Sequence, residues 1–79
     1  MYDEQVKEFE SKLPAAFKPE CIVRIWREDY GHLVCYEIRN GLINTIVSGE
    51  ILVTKLGSSH DVEVNVRLIA NALPSSWRV

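Results

Sequence analysis

The chain has 79 residues, 47% hydrophobic and 25% charged, with a net charge of -2. Those values describe one small globular domain, residues 1–79, with a modest core, and they exclude a disordered or fibrous chain. The nine Lys and Arg are scattered from Lys7 to Arg78, which is not the concentrated basic surface of a nucleic-acid-binding protein, and every apolar run is far shorter than the roughly 20 residues that cross a bilayer.

From Asp3 to Leu13 the apolar residues Val6, Phe9 and Leu13 recur at helical spacing, with Tyr2 one turn earlier. Asp3 and Glu4 stand where carboxylates complement the helix dipole, and Pro14 is expected to end the run. This acidic, amphipathic start has no basic region followed by an apolar core, so a signal peptide is not expected and the reading is a cytoplasmic protein. Two cysteines, Cys21 and Cys35, are read as reduced thiols, because the pairing derived below sends them to opposite faces of a sheet.

Four glycines, at positions 31, 41, 49 and 57, punctuate segments rich in Val, Ile, Leu, Tyr and Trp. Glycines so placed read as turns of an antiparallel meander, which predicts four strands at about 20–28, 32–39, 42–47 and 50–56. Asn40-Gly41 is the strongest hairpin signal, with Tyr30-Gly31 and Ser48-Gly49 weaker. Two-residue loops at all three places fix the register. They set Ile25 opposite Tyr36, Val23 opposite Ile38, Arg24 opposite Glu37 and Trp26 opposite Cys35. One face then collects Val23, Ile25, Val34, Tyr36, Ile38, Ile43, Val47 and Leu52 as the expected core.

Residues 61–67 are ambiguous. Asp61-Val62-Glu63-Val64-Asn65-Val66 alternates as a strand would, yet Val62, Val66, Ile69 and Leu73 also form a helical stripe. Ser58, Ser59 and Asp61 are N-cap candidates, and Pro74 follows the stripe. The stretch Glu63-Val64-Asn65-Val66-Arg67-Leu68-Ile69-Ala70-Asn71-Ala72-Leu73-Pro74 resembles the C-terminal segment of small phage and prophage proteins of unknown function. That segment typically reads E-A-N-A-R-L-I-A-A-A-P and looks helical. Here Val64 and Val66 replace alanines, and one extra residue precedes the proline. The resemblance implies a helix and a phage-type origin, and it implies no activity. The expected fold is therefore α+β: an N-terminal helix, a four-stranded antiparallel meander and a C-terminal helix, with both helices on one face. Leu13-Pro14-Ala15-Ala16-Phe17-Lys18 also matches Leu73-Pro74-Ser75-Ser76-Trp77-Arg78 in type, as two helix exits would whose aromatic residue folds back over the helix end.

Little in the sequence points to catalysis, to a metal or to a cofactor. His32 and Cys35 lie three residues apart, but a structural zinc needs four ligands, and Cys21 is expected to face the core. A Cys–His nucleophile pair would need an oxyanion site and a pocket that nothing supplies, and no glycine-rich phosphate loop occurs. An enzyme is not expected. The informative constellation is a cross-strand row of Trp26, Cys35, Ile46 and Ile51 on the face away from the core. Leu33 and Val53 lie nearby, with Arg24, Glu37, Arg39 and Lys55 at the border. Exposed apolar patches with a charged rim mark binding surfaces. Three occupants suit such a strip: a second copy, a different protein, or a helix of the same chain. The expected function is a phage- or prophage-type accessory protein, homodimeric, that acts by binding a host protein. The alternative is a small nucleic-acid-associated regulator using Arg24, Arg27 and Arg39.

Overall fold

Helix α1 (Asp3–Ala15) opens the computed structural model, which describes residues 2–79. Its stripe of Val6, Phe9 and Leu13 is buried, as the spacing requires. The helix does not stop before Pro14 but carries it in its last turn. There the chain tightens, with the Ala16 amide donating to the Leu13 carbonyl at 3.1 Å and the Phe17 amide to that of Pro14 at 3.2 Å. A proline is tolerated so close to the helix end because only one backbone bond is lost before the chain leaves.

Three strands follow, not four: β1 (Cys21–Glu28), β2 (Leu33–Asn40) and β3 (Thr45–Leu52), antiparallel in the order β1-β2-β3. The first hairpin has the expected register, with Trp26 opposite Cys35, Ile25 opposite Tyr36 and Val23 opposite Ile38. Its loop is nevertheless longer than Tyr30-Gly31 alone. The strands separate at Glu28 and Leu33, and Asp29, Tyr30 and Gly31 turn left-handed with φ of 52°, 53° and 89°. Two extra residues, one on each side, leave the pairing unchanged.

The second half of the meander departs from expectation at two places. Asn40-Gly41 is not the centre of a two-residue turn. Asn40 stays in β2, buried, and its Oδ1 accepts a hydrogen bond from the Leu42 amide at 3.0 Å. That side-chain turn opens a longer loop, closed by Asn44 at φ 52°. Ser48-Gly49 is not a turn at all, and β3 runs straight through it. Gly49 lies opposite Tyr36, and a Cβ at Gly49 would come within 3.0 Å of Tyr36 Cε1. The glycine is there so that a cross-strand tyrosine ring can lie over the backbone, a pairing that shields an otherwise exposed strand glycine.

Both changes alter which residues share a face. Cys35 pairs with Glu50 instead of Ile46, and Ile38 with Val47 instead of Ile43. A slip of four positions is even, so the first half of β3 keeps its facing. Loss of the turn at Gly49 reverses the facing of everything after it. Ile51 therefore points inward and packs against the core, whereas Leu52 points outward and is exposed. Ile43, an expected core residue, is exposed in the loop.

Beyond Leu52 the predicted fourth strand is a 3-10 turn, Val53–Leu56, which sends Val53 and Leu56 into the core. Helix α2 (Ser59–Ala72) then settles the ambiguity at 61–67 in favour of a helix. Ser58 caps it, its hydroxyl accepting from the Asp61 amide at 3.1 Å, and Val62, Val66, Ile69 and Leu73 line its packed side. The two similar helix exits meet. Phe17 and Arg78 form an antiparallel bridge, the Lys18 amide donates to the Trp77 carbonyl at 2.8 Å, and the Val79 amide to that of Ala16 at 3.2 Å. Phe17 and Trp77 are both buried in the same core as Phe9, Leu13, Val34, Ile38 and Leu56. No described helix is long and apolar enough to cross a membrane.

Candidate docking surface on the outer face of the sheet

Strand alternation sorts the sheet into two faces. The inner face carries Val23, Ile25, Val34, Tyr36, Ile38, Val47 and Ile51, all packed in or against the hydrophobic core. The outer face has four cross-strand rows. In order along the sheet they are Ile22-Arg39-Ile46, Arg24-Glu37-Ser48, Trp26-Cys35-Glu50 and Glu28-Leu33-Leu52.

Four large apolar side chains on this face remain open to solvent: Ile22 at 59%, Trp26 at 38%, Ile46 at 54% and Leu52 at 52% exposure. Exposed single hydrophobes are ordinary, but four on one small sheet face form a patch. Cys35 lies on the same face and is only 5% exposed, outside the core cluster. A shallow depression lined by Trp26, Glu28, Cys35, Ser48 and Glu50 surrounds it. The indole Nε1 of Trp26 donates to Glu28 Oε2 at 2.6 Å, which fixes the ring beside the thiol. Burial pushes the Cys35 thiol pKa up, and the carboxylates of Glu28 and Glu50 push it the same way. A thiol held protonated is a poor nucleophile, so this cysteine acts as a small apolar filler beside the indole.

The charges on the outer face are arranged in order. Arg24 and Arg39 occupy the two rows at one end, Glu28 and Glu50 the two rows at the other, and Glu37 stands mid-sheet. Arg24 Nη1 is 4.0 Å from Glu37 Oε1, and Arg39 Nη2 donates to Asn44 Oδ1 at 3.1 Å. Both are exposed contacts of little energetic weight.

The expected row of Trp26, Cys35, Ile46 and Ile51 is therefore only partly assembled. Trp26 and Cys35 are adjacent, and Ile46 shares their face two rows away. Ile51 points to the core and Val53 is buried within it, because β3 is continuous and ends in a 3-10 turn. Leu33 is half-buried at the acidic end, beside exposed Leu52. Lys55 lies in the 3-10 turn and not in a strand, so it does not border the sheet face as expected; the carbonyl of Lys55 accepts from Asn65 Nδ2 at 3.1 Å. Sequence reasoning passed over Ile22, Glu28 and Glu50 on this face, and it placed Leu52 in the core. The alternation of β1 from Trp26 back to Ile22 was enough to find the first of these.

The three arginines of the nucleic-acid alternative do not share a surface. Arg24 and Arg39 are on the outer face, whereas Arg27 has the inner parity. Its guanidinium folds over the first hairpin loop, donating to the Gly31 carbonyl from Nε at 3.1 Å and Nη2 at 2.7 Å, and lies 3.5 Å from Asp3. Cys21 faces the core side near the Trp77 carbonyl, and both cysteines are free thiols. His32 sits at the hairpin loop with its Nδ1 3.9 Å from Asp29, and among the described residues no cluster of His, Cys, Asp and Glu has the makings of a metal site. No family model, curated protein or solved structure matches the chain, so the functional reading rests on this geometry.

Proposed function

We propose that this protein is a non-enzymatic protein-binding module, and that the outer face of its sheet is the docking surface. The observation that carries the reading is the group of Ile22, Trp26, Ile46 and Leu52, all open to solvent on one sheet face and interleaved with both signs of charge. Burying such side chains releases roughly 1.5–3 kcal/mol each, and Trp with Arg makes a common interface anchor. On this reading both helices pack on the inner face and leave the outer one for a partner. Support comes from the core cluster, which joins α1 and α2 residues to inner-face residues of the sheet and contains none from the outer face.

The setting we favour is the one that the C-terminal resemblance implies: a phage- or prophage-type accessory protein working in a host cytoplasm, homodimeric or bound to a host protein. Nucleic-acid binding is the weaker reading. The outer face carries three carboxylates against two guanidinium groups, and Arg27 is turned away and tied to Gly31.

The test compares the wild-type chain with Ile22→Ser/Ile46→Ser/Leu52→Ser, using immobilised protein and following both captured partners and self-association. A partner, self or other, held by the wild type and lost with the outer-face variant supports the reading. Binding that survives the variant intact, or a steeply salt-sensitive gel shift with nucleic acid, would refute it.

A further inference from the structure

The two edges of this sheet, β1 and β3, are built differently. Hydrogen-bonded pairs alternate along an antiparallel ladder, so every second residue of an edge strand turns its N–H and C=O outward. The Gly41 amide donates to the Glu20 carbonyl directly opposite, so the even residues of β1 bond to β2 and Val23, Ile25 and Arg27 turn outward. The Val53 amide donates to the His32 carbonyl at 2.8 Å, so the odd residues of β3 bond to β2 and Ile46, Ser48, Glu50 and Leu52 turn outward. Natural sheets guard their edges with charges, prolines, bulges or a covering segment. The β1 edge is guarded: it carries Arg24, Arg27 and Glu28, Asp3 of α1 lies 3.5 Å from Arg27, and the Lys18 carbonyl already takes the Cys21 amide. The β3 edge is not. Its residues pair with β2 without a bulge, they include no proline, Lys or Arg, and Glu50 is their one charge.

An open edge accepts another extended strand, and β3 is complementary to itself. Antiparallel pairing with a second copy about a two-fold axis must set outward residues opposite outward residues, which leaves four central registers. With Val47 on the axis, only Thr45 to Gly49 overlap and Ile46 faces the partner's Ser48. With Ser48 on the axis, Ile46 faces the partner's Glu50, and with Glu50 on the axis two carboxylates face each other. Gly49 on the axis sets Ile46 opposite the partner's Leu52 and Val47 opposite the partner's Ile51, so apolar meets apolar on both faces, and Ser48 faces the partner's Glu50. Gly49 then meets Gly49 of the partner subunit at a close approach of the two backbones, leaving room for the Tyr36 ring that lies over each glycine. We infer that β3 pairs with β3 of a second copy of this chain, with Gly49 on the two-fold axis, to form one continuous sheet. Four pairs exchanging two bonds each give roughly eight backbone hydrogen bonds. The contact is small, so the dimer is expected on the order of micromolar and in exchange with monomer. This inference does not rest on the docking reading, because edge pairing leaves the outer face of each copy open.

Proline substitution tests the pairing, because the outward N–H groups bond to nothing in the ladder of a single copy. In sedimentation equilibrium the wild type should dimerise with concentration. Ser48→Pro removes an N–H from the middle of the edge and should weaken association at least about tenfold, whereas Ser48→Ala keeps the N–H and should stay within about threefold of the wild type. Circular dichroism checks the fold. Should Ser48→Pro unfold, Leu52→Pro takes its place, since Leu52 already has the proline-like φ of -61°. Ser48→Lys reads the register: opposite the partner's Glu50 it should tighten the dimer severalfold, and on the axis it would face itself and loosen it. A wild type that stays monomeric to millimolar concentration, or a dimer indifferent to whichever proline variant folds, overturns the edge pairing. A dimer broken by proline yet loosened by Ser48→Lys overturns the register.

Discussion

Ile38 and Ile46 are the same residue type on neighbouring strands of one sheet, yet they live in different solvents. Ile38 faces inward and is fully buried among residues of α1, α2 and the 3-10 turn, whereas Ile46 faces outward and is more than half exposed. The contrast separates two jobs that a small domain performs with the same kind of side chain. Inner-face groups hold the fold together, and outer-face groups are left over from that task. An apolar side chain that contributes nothing to the monomer is one whose burial is still available to a partner.

That division can be broken first where it is sharpest. Ile38→Ala should lower unfolding free energy by about 2–5 kcal/mol, a large part of the stability of a domain this size, as read by urea denaturation. Gly49→Ala, on the strand between the two faces, places a methyl group against the Tyr36 ring. It should cost about 1–3 kcal/mol, and Tyr36→Ala in the same chain should relieve the crowding, so the double variant will be non-additive. A true turn glycine at 49 would show no such coupling to Tyr36.

A smaller effect sharpens the account of α2. Ser58→Ala removes the side-chain acceptor of the Asp61 amide and should cost about 1 kcal/mol in the same assay. Alkaline pH probes both faces at once, since Cys35 on the outer side and Cys21 and Tyr36 on the inner all have raised pKa values caused first by burial. A pKa raised on folding means that the folded state favours the protonated form. Stability should therefore be unaffected by these groups below the ordinary thiol value of 9.0 and fall as pH climbs through and beyond it. Cys35→Ala should flatten part of that decline. The smallest change expected is Ile46→Ala, within about 0.5 kcal/mol for the monomer, read at a concentration low enough to exclude self-association.

How much of this was legible in the sequence depended on local signals being used for what they usually mean. Val6, Phe9 and Leu13 declared α1, and counting outward from Tyr30-Gly31 gave the first hairpin its correct pairing, because the longer loop adds one residue on each side. The helix over 61–67 was within reach from the Ser58 cap and the Val62-Val66-Ile69-Leu73 stripe, although three valines argued for a strand. Two glycine signals misled. Asn40 spends its side chain on the Leu42 amide while staying in the ladder, so the turn moves on to Asn44. Gly49 answers to Tyr36, a partner thirteen residues away that no local pattern reveals. The error at Gly49 mattered most, because it exchanged Ile51 for Leu52 on the outer face and concealed the acidic end formed by Glu28 and Glu50.

The two tryptophans give the most direct check on what the outer face does. Trp77 is buried in the core, and Trp26 is the partly exposed indole on the candidate surface. Acrylamide quenching of tryptophan fluorescence at nanomolar protein should show two populations, an accessible indole at Trp26 and a protected one at Trp77. Trp26 as shielded from the quencher as Trp77 would contradict the claim that the fold leaves this face open.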